Sequence, residues 1–156
     1  GGVLPLGLTV ATNEIYEAFL SEEKSKALLH GHSFTGNPLS CAAACASLDL
    51  FEQQSTWENV KRIADANEAF ALTIDSTAVE NVRFLGTILA IELKTSGESS
   101  YFSDIRDQAY GHFLENGILL RPLGNIIFIN PPYCITNSEL QKVHQTMVNF
   151  ISTLIK

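Results

Sequence analysis

The amino-acid sequence predicts an α+β layer, built in the order helix, strand, helix, hairpin, helix. Apolar residues recur at helical spacing in the stretch that begins at Thr56 and again from Leu140 to Leu154. Between these, Leu89, Ile91 and Leu93 alternate with Ile88, Ala90 and Glu92, and a Gly-Asn pair precedes Ile126. With 156 residues and 46% hydrophobic positions, the chain can bury one sizeable core.

In chain order, Leu4 to Ala11 is short and apolar, the pattern of a buried strand. Thr12 is placed to cap one or two helical turns through Glu14, Ile15, Glu17, Ala18 and Phe19. A polar break at Ser21 to Lys26 leads to the loop His30-Gly31-His32-Ser33-Phe34-Thr35-Gly36. Asn37 then caps a helix with Pro38 in its first turn, running from Leu39 to Gln54. That helix has small residues all round and no charge before Asp49, so it is expected to be packed on several sides. A polar helix follows from Thr56 to about Asp75-Ser76, its inner face formed by Val60, Ile63, Ala64, Asn67 and Phe70 or Ala71. One strand is expected from about Phe84 to Leu93, and a turn at Gly97 to Ser100. Asp104 to Glu115 reads as a helix closed by Asn116-Gly117. Ile118 to Leu120 and Ile126 to Ile129 read as two short strands joined by a hairpin, with Pro131-Pro132 ending the second. Thr136 and Glu139 form a capping box for the last helix, whose inner face is Leu140, Val143, Met147, Ile151 and Leu154. Residues 1 to 36 are expected to belong with a different body from the rest.

Only 17% of residues are charged, below the roughly 25% of an average soluble domain, so part of the outer surface is expected to be covered. The 10 basic and 17 acidic residues give a net charge of −7, the opposite of the footprint that selects nucleic acid. Three cysteines without a CxxC pair fit neither a disulfide framework nor a zinc site, and a reducing, cytoplasmic home is expected. No stretch approaches ~18 uninterrupted apolar residues, so no membrane span is expected. The chain opens without an initiator methionine, in what reads as a strand, as a portion of a longer polypeptide would.

Two places stand out chemically. The loop from His30 to Pro38 combines two histidines, two hydroxyls and two glycines at the start of a helix. Its hydroxyls and free backbone N–H groups are suited to an anion such as phosphate, although an ordinary connection would have the same composition. Arg121 is the one charge between Glu115 and Glu139 and is expected to be buried between apolar strands. A guanidinium there suits either a substrate carboxylate, held by two parallel hydrogen bonds, or a distant internal acid. Tyr133, after the double proline, either offers its hydroxyl to the same space or closes the sheet as a packed ring. His112 and His144 read as surface or boundary residues, and Cys41 and Cys45 as small core fillers sharing one helix face.

These segments resemble a known family. Gly1-Gly2 with Leu4 to Thr12, followed by His30-Gly31-His32-Ser33-Phe34-Thr35-Gly36-Asn37-Pro38-Leu39-Ser40-Cys41-Ala42-Ala43-Ala44, resembles the pyridoxal-phosphate-dependent class III aminotransferases over essentially the whole chain. Gly117 to Gly124 and Asn130-Pro131-Pro132-Tyr133 resemble the branch that transfers an amino group from S-adenosylmethionine to 8-amino-7-oxononanoate in biotin biosynthesis.

The resemblance implies the C-terminal small domain of a fold-type I transferase, with a short, mostly antiparallel sheet. Residues 37–156, including a connecting helix, form that domain, and residues 1–36 are a remnant of the large cofactor-binding domain. In the family, a Gly-Gly pair closes a Lys-x-x-Thr-Gly-Gly stretch whose lysine forms the Schiff base with the cofactor. That lysine is expected upstream of Gly1, so the chain itself is expected to hold no catalytic residue, to be inactive alone and not to bind pyridoxal 5'-phosphate by itself. Ser33 stands where the family usually has Thr, whose hydroxyl and N–H reach the cofactor phosphate of the neighbouring subunit. His32 replaces a common Pro beside the cofactor, and Gly31 falls where backbone approaches substrate. Arg121 matches the arginine that pairs with the oxo-acid carboxylate, and Tyr133 a tyrosine near the same pocket. The implied partners are a homodimer mate sharing the cofactor site and small-molecule substrates, with neither nucleic acid nor membrane. Another class III ω-aminotransferase, of ornithine or 4-aminobutyrate type, and a non-catalytic module that binds a small acid remain alternatives.

Overall fold

The computed structural model describes residues 2–74, 77–94 and 104–155. The chain forms two compact units, Gly1–Gln53 and Gln54–Lys156.

The first unit holds α1 (Asn13–Glu17), a single 3-10 turn at Lys24–Lys26, and α2 (Pro38–Phe51). Thr12 caps α1 by accepting from the Ile15 N–H, and Asn37 caps α2 with Pro38 at its start, as the sequence implies. Residues 4–11 form no strand. A strand exists only as one side of a ladder, and none of the described residues pairs with this segment, whose Leu8 is 81% and Val10 91% exposed. Nor is α2 packed on several sides, since Ser40 is the one buried residue among those described in the unit. Cys41 and Cys45 accordingly lie exposed rather than filling a core. A chain of this length with one short and one 14-residue helix has no second layer against which to close a core.

In the second unit, α3 (Gln54–Ala71), β1 (Val79–Leu85), β2 (Ile88–Leu93), α4 (Asp104–Glu115), β3 (Ile126–Ile129) and α5 (Asn137–Thr153) follow in order. The strands form one antiparallel sheet, β1-β2-β3, with β2 central. Leu89, Ile91 and Leu93 are fully buried, so the period-two reading of this strand holds. They join Ile63 of α3, Phe113 of α4, Ile127 of β3 and Leu140, Met147, Phe150 and Ile151 of α5 in one core. Each such side chain withdrawn from water contributes about 1.5–3 kcal/mol before entropy is counted.

The expected single strand to Leu93 is instead a hairpin. Leu85 pairs with Ile88 across a two-residue Gly86-Thr87 loop, and Gly86 at φ 55, with no positive φ at Thr87, is the II′ arrangement that matches strand twist. The expected strand Ile118–Leu120 is absent for want of a partner, because only Leu123 bridges back to Ile126, across Gly124 at φ 61 and Asn125. Asn125 is buried and joins that turn to β2, donating its amide to the Leu93 carbonyl at 2.7 Å and accepting the Leu93 N–H on its own carbonyl. The end of α4 follows the sequence closely. Gly117 (φ 73) donates its N–H to Leu114 and Ile118 to Phe113, the paired bonds of a Schellman stop. The helix expected to run to about Asp75-Ser76 ends at Ala71, and the expected turn at residues 97–100 lies outside the described residues.

Two polar anchors bind the helices to the sheet. Asn67 of α3 has no exposed surface and donates to the Thr87 carbonyl in the hairpin loop at 3.0 Å. Its own carbonyl faces His144 Nε2 of α5 at 2.9 Å, and the His144 ring stacks on Phe70 at 4.1 Å. Asn67 Oδ1 can only accept, so Nε2 carries the proton in the neutral ring. His144 is therefore a boundary residue that joins two helices, and desolvation lowers its pKa from 6.5 to about 4.

Two outcomes follow for stability. Thr136 and Glu139 form the reciprocal capping box, which holds the Glu139 carboxyl below the usual carboxylate range through the Thr136 backbone N–H and then its hydroxyl. Thr136→Ala should cost about 0.5–2 kcal/mol in denaturant unfolding. It should also flatten the loss of stability that the capped carboxylate causes as pH falls through the acid range. For His144 the folded pKa lies below the unfolded one, so its contribution is complete above pH 6.5 and declines as pH falls toward 4. Wild type should lose melting temperature across that window more steeply than His144→Gln; equal slopes would contradict the assignment.

Candidate functional site

The loop ahead of α2 is organised by its own side chains. Thr35 donates its N–H to the His32 carbonyl at 2.9 Å, and its hydroxyl accepts the His32 N–H at 3.0 Å, so residues 32–35 close on themselves. His32 Nδ1 accepts the Phe34 N–H at 3.2 Å, which puts the proton of the neutral ring on Nε2. Gly36 at φ 67 then releases the chain into the cap. A Cβ on Gly31 would meet only Thr35 Oγ1, at 4.0 Å, so the backbone there stays open to approach.

This geometry relocates the donors expected at the helix start. The N–H groups of Leu39 and Ser40 are taken by Asn37 Oδ1, at 3.0 and 3.2 Å, and that of Cys41 by the Asn37 carbonyl. Ser33 is different. It occupies the tip of the turn, is exposed, and neither its N–H nor its hydroxyl makes a hydrogen bond within the described residues. A tip with two adjacent donors unspent, on a turn closed by the His32–Thr35 bonds, is chemically suited to oxygens of an anion.

In the second unit, Arg121 and Tyr133 stand on the segments that enter and leave β3. Burial alternates along the entry, where Leu120 and Pro122 are buried and Arg121 is exposed. The expectation of a buried arginine is thus overturned: residues 118–120 form no strand, and Arg121 lies exposed between two buried neighbours. Tyr133 is 37% exposed and sits in a turn closed by the Ile135 N–H donating to the Pro132 carbonyl at 3.0 Å. His32, Ser33 and Gly31 belong to the first unit, Arg121 and Tyr133 to the second.

Other polar groups prove structural or unforeseen. His112 is the boundary residue of the two alternatives, packing against Phe113 and Phe150 with Nε2 buried and unbonded among the described residues. Cys134 is exposed like the other two cysteines. No group of three or more His, Cys, Asp and Glu gathers to hold a metal among the described residues. Arg62 escaped the sequence reading altogether. Its guanidinium spans Asn59 of its own helix, the Ile135 carbonyl at 2.5 Å and Asn137 Oδ1 at 2.6 Å. The Asn59–Arg62 spacing on one helix face was readable, but partners more than 70 positions away were not.

Known proteins resemble the chain along its whole length. It is 37% identical over 155 residues to the adenosylmethionine-8-amino-7-oxononanoate aminotransferase of Synechococcus elongatus, covering 99% of this chain and 36% of that one. The enzyme of the same name from Geobacter sulfurreducens is 41% identical over 145 residues, 89% of this chain and 32% of the relative. The chain thus spans about a third of the curated relatives it matches. The crystal structure of the Methanocaldococcus jannaschii adenosylmethionine-8-amino-7-oxononanoate aminotransferase superposes with a TM-score of 0.78 at 33% identity, over 91% of this chain and 34% of that one. No helix among the described residues is long and apolar enough to cross a membrane. The family model described as Aminotransferase class-III matches residues 1–151, taking in the Ser33 turn, Arg121 and Tyr133 alike, and the chain belongs to that family.

Proposed function

We propose that the protein carrying this chain is a pyridoxal-phosphate-dependent aminotransferase that moves an amino group from S-adenosylmethionine to 8-amino-7-oxononanoate, giving 7,8-diaminononanoate for biotin biosynthesis. The observation that carries the reading is Arg121: it lies exposed between the buried Leu120 and Pro122, within the stretch that the family model matches. A guanidinium so presented suits a carboxylate at the end of a long acid, because two parallel hydrogen bonds fix direction as well as charge. The relatives' shared name supports the same substrate.

The residues of the first unit fit the cofactor. The Ser33 hydroxyl and N–H are unspent donors on a preorganised turn, the complement of a phosphate group, and Ser keeps the hydroxyl of the family's usual Thr. When bound, pyridoxal phosphate supplies an aldehyde to carry nitrogen and a conjugated ring that accepts electrons. In the intact enzyme Ser33 would hold the phosphate with His32 beside it, and Gly31 would admit substrate against bare backbone; Arg121 would bind the oxo-acid carboxylate and Tyr133 would border its pocket. Because the family places the Ser33 contact across a subunit boundary, we assign the working enzyme as a homodimer whose mate shares the cofactor site. The exposed apolar residues of the first unit, Leu29 at 90% among them, support a covering partner of this kind. Residues 1–36 belong in this reading to the large cofactor-binding domain and residues 37–156, with α2 as connecting helix, to the small one. We place the enzyme in the cytoplasm.

In the full-length enzyme, Arg121→Ala should weaken oxo-acid recognition by about 2–5 kcal/mol, roughly a 30- to 4000-fold rise in KM for that substrate, with little change for the amino donor. An unchanged KM for 8-amino-7-oxononanoate, or a larger effect with an ornithine or 4-aminobutyrate partner acid, would remove the assignment. The purified 156-residue chain should show no amino transfer, since none of its lysines lies in a Lys-x-x-Thr-Gly-Gly context. Turnover above background would defeat that expectation.

A further inference from the structure

Tyr133 does not stand alone on its turn. The Pro132–Ile135 turn is held at its far corner twice, by the Ile135 N–H donating to Pro132 at 3.0 Å and by the Ile135 carbonyl accepting from Arg62 Nη2 at 2.5 Å. Arg62 Nη1 donates to Asn137 Oδ1 at 2.6 Å, two residues further along at the start of α5. On its own helix, Nε and Nη2 both reach Asn59 Oδ1, at 3.3 and 3.2 Å. One half-buried guanidinium therefore pins the exit of the turn to α3, and does so with three nitrogens in a fixed plane.

That arrangement is more than a strut between helices would need. The capping box of Thr136 and Glu139 already secures the start of α5, and Leu140 anchors it to the core. What the Arg62 contact adds is restraint on Ile135, the residue whose backbone closes the turn bearing Tyr133. Pro131 and Pro132 stiffen the approach from β3, so the Arg62 contact completes the restraint from the other side. We propose that Arg62 is a positioning residue that acts through this turn, fixing Tyr133 for the oxo-acid. The proposal rests on the reading above that Tyr133 borders the oxo-acid pocket.

The test uses the full-length enzyme with its cofactor. Arg62→Gln and Arg62→Lys are compared with wild type for hydrogen exchange of the peptide covering residues 130–136, for melting temperature, and for KM and kcat with each substrate. Tyr133→Phe is measured alone and combined with Arg62→Gln. The expected result is exchange in that peptide faster by at least about tenfold, a rise of about 10- to 100-fold in KM for the oxo-acid, an unchanged KM for S-adenosylmethionine, and partial rescue by Lys. In the Tyr133→Phe background the Arg62→Gln effect on oxo-acid KM should shrink. Unchanged exchange would overturn the anchor itself. Faster exchange with an oxo-acid KM that only Tyr133→Phe raises would reduce Arg62 to a strut. Should Tyr133→Phe leave that KM untouched while exchange still rises, the pocket reading of Tyr133 fails, and the proposed role of Arg62 falls with it though its anchor stands. If Arg62→Gln does not fold, Asn137→Ala removes one of the three attachments and carries the same comparison, with a smaller expected effect.

Discussion

A side-chain amide shut away from water has to find its partners inside the protein, and Asn67 finds them in two other elements. Its donor takes the carbonyl of the β1–β2 loop and its acceptor takes His144 of α5. The cost of leaving either group unpaired, about 1–3 kcal/mol, is what ties the helix layer to one position on the sheet. Apolar contacts alone would tolerate sliding, whereas this pair of bonds does not. Asn67 thus joins α3 both to the β1–β2 loop and to α5, beside the apolar core that α3, β2 and α5 share.

The same helix carries Arg62 five residues earlier, where it reaches the entrance of α5. From α3, then, one polar contact fixes the sheet and another fixes the turn that follows it. Arg121 and Arg62 divide the work of the second unit between them. The first lies exposed between the buried Leu120 and Pro122; the second reaches Asn59, Ile135 and Asn137, acceptors that its planar fork can satisfy together. In the first unit the equivalent economy is local, since Thr35 and Asn37 consume nearby donors and leave those of Ser33.

What could be read from the sequence follows from how far each interaction reaches. Caps at Thr12, Asn37 and Thr136, the Asn116-Gly117 stop and the inner faces of β2 and α5 are each decided within a few residues, and each is found as read. Strands at residues 4–11 and 118–120 failed because apolar composition says that a segment wants cover, not that a neighbour exists to pair with it. The hairpin loop was hidden because Gly86 sits inside an apolar run that reads as continuous. Burial of α2 was inferred from its small residues, yet Ser40 alone of them is buried, because small size permits close packing without supplying a neighbour.

The site divides along the same line. Ser33 and Arg121 were visible because unusual residue types at a loop and between apolar segments announce themselves in one dimension. Even there, the geometry changed the reason: the donors lie at the tip of the turn rather than at the helix start, and the arginine is presented rather than buried. Arg62 was invisible because an arginine on a polar helix is ordinary until its acceptors come within reach from the other side of the sheet sequence. Unusual residue types can therefore be picked out by composition, while contacts such as those of Arg62 are created only by the fold. That asymmetry separates residues that a motif can announce, such as Ser33 and Arg121, from a side chain such as Arg62, whose partners only the fold supplies.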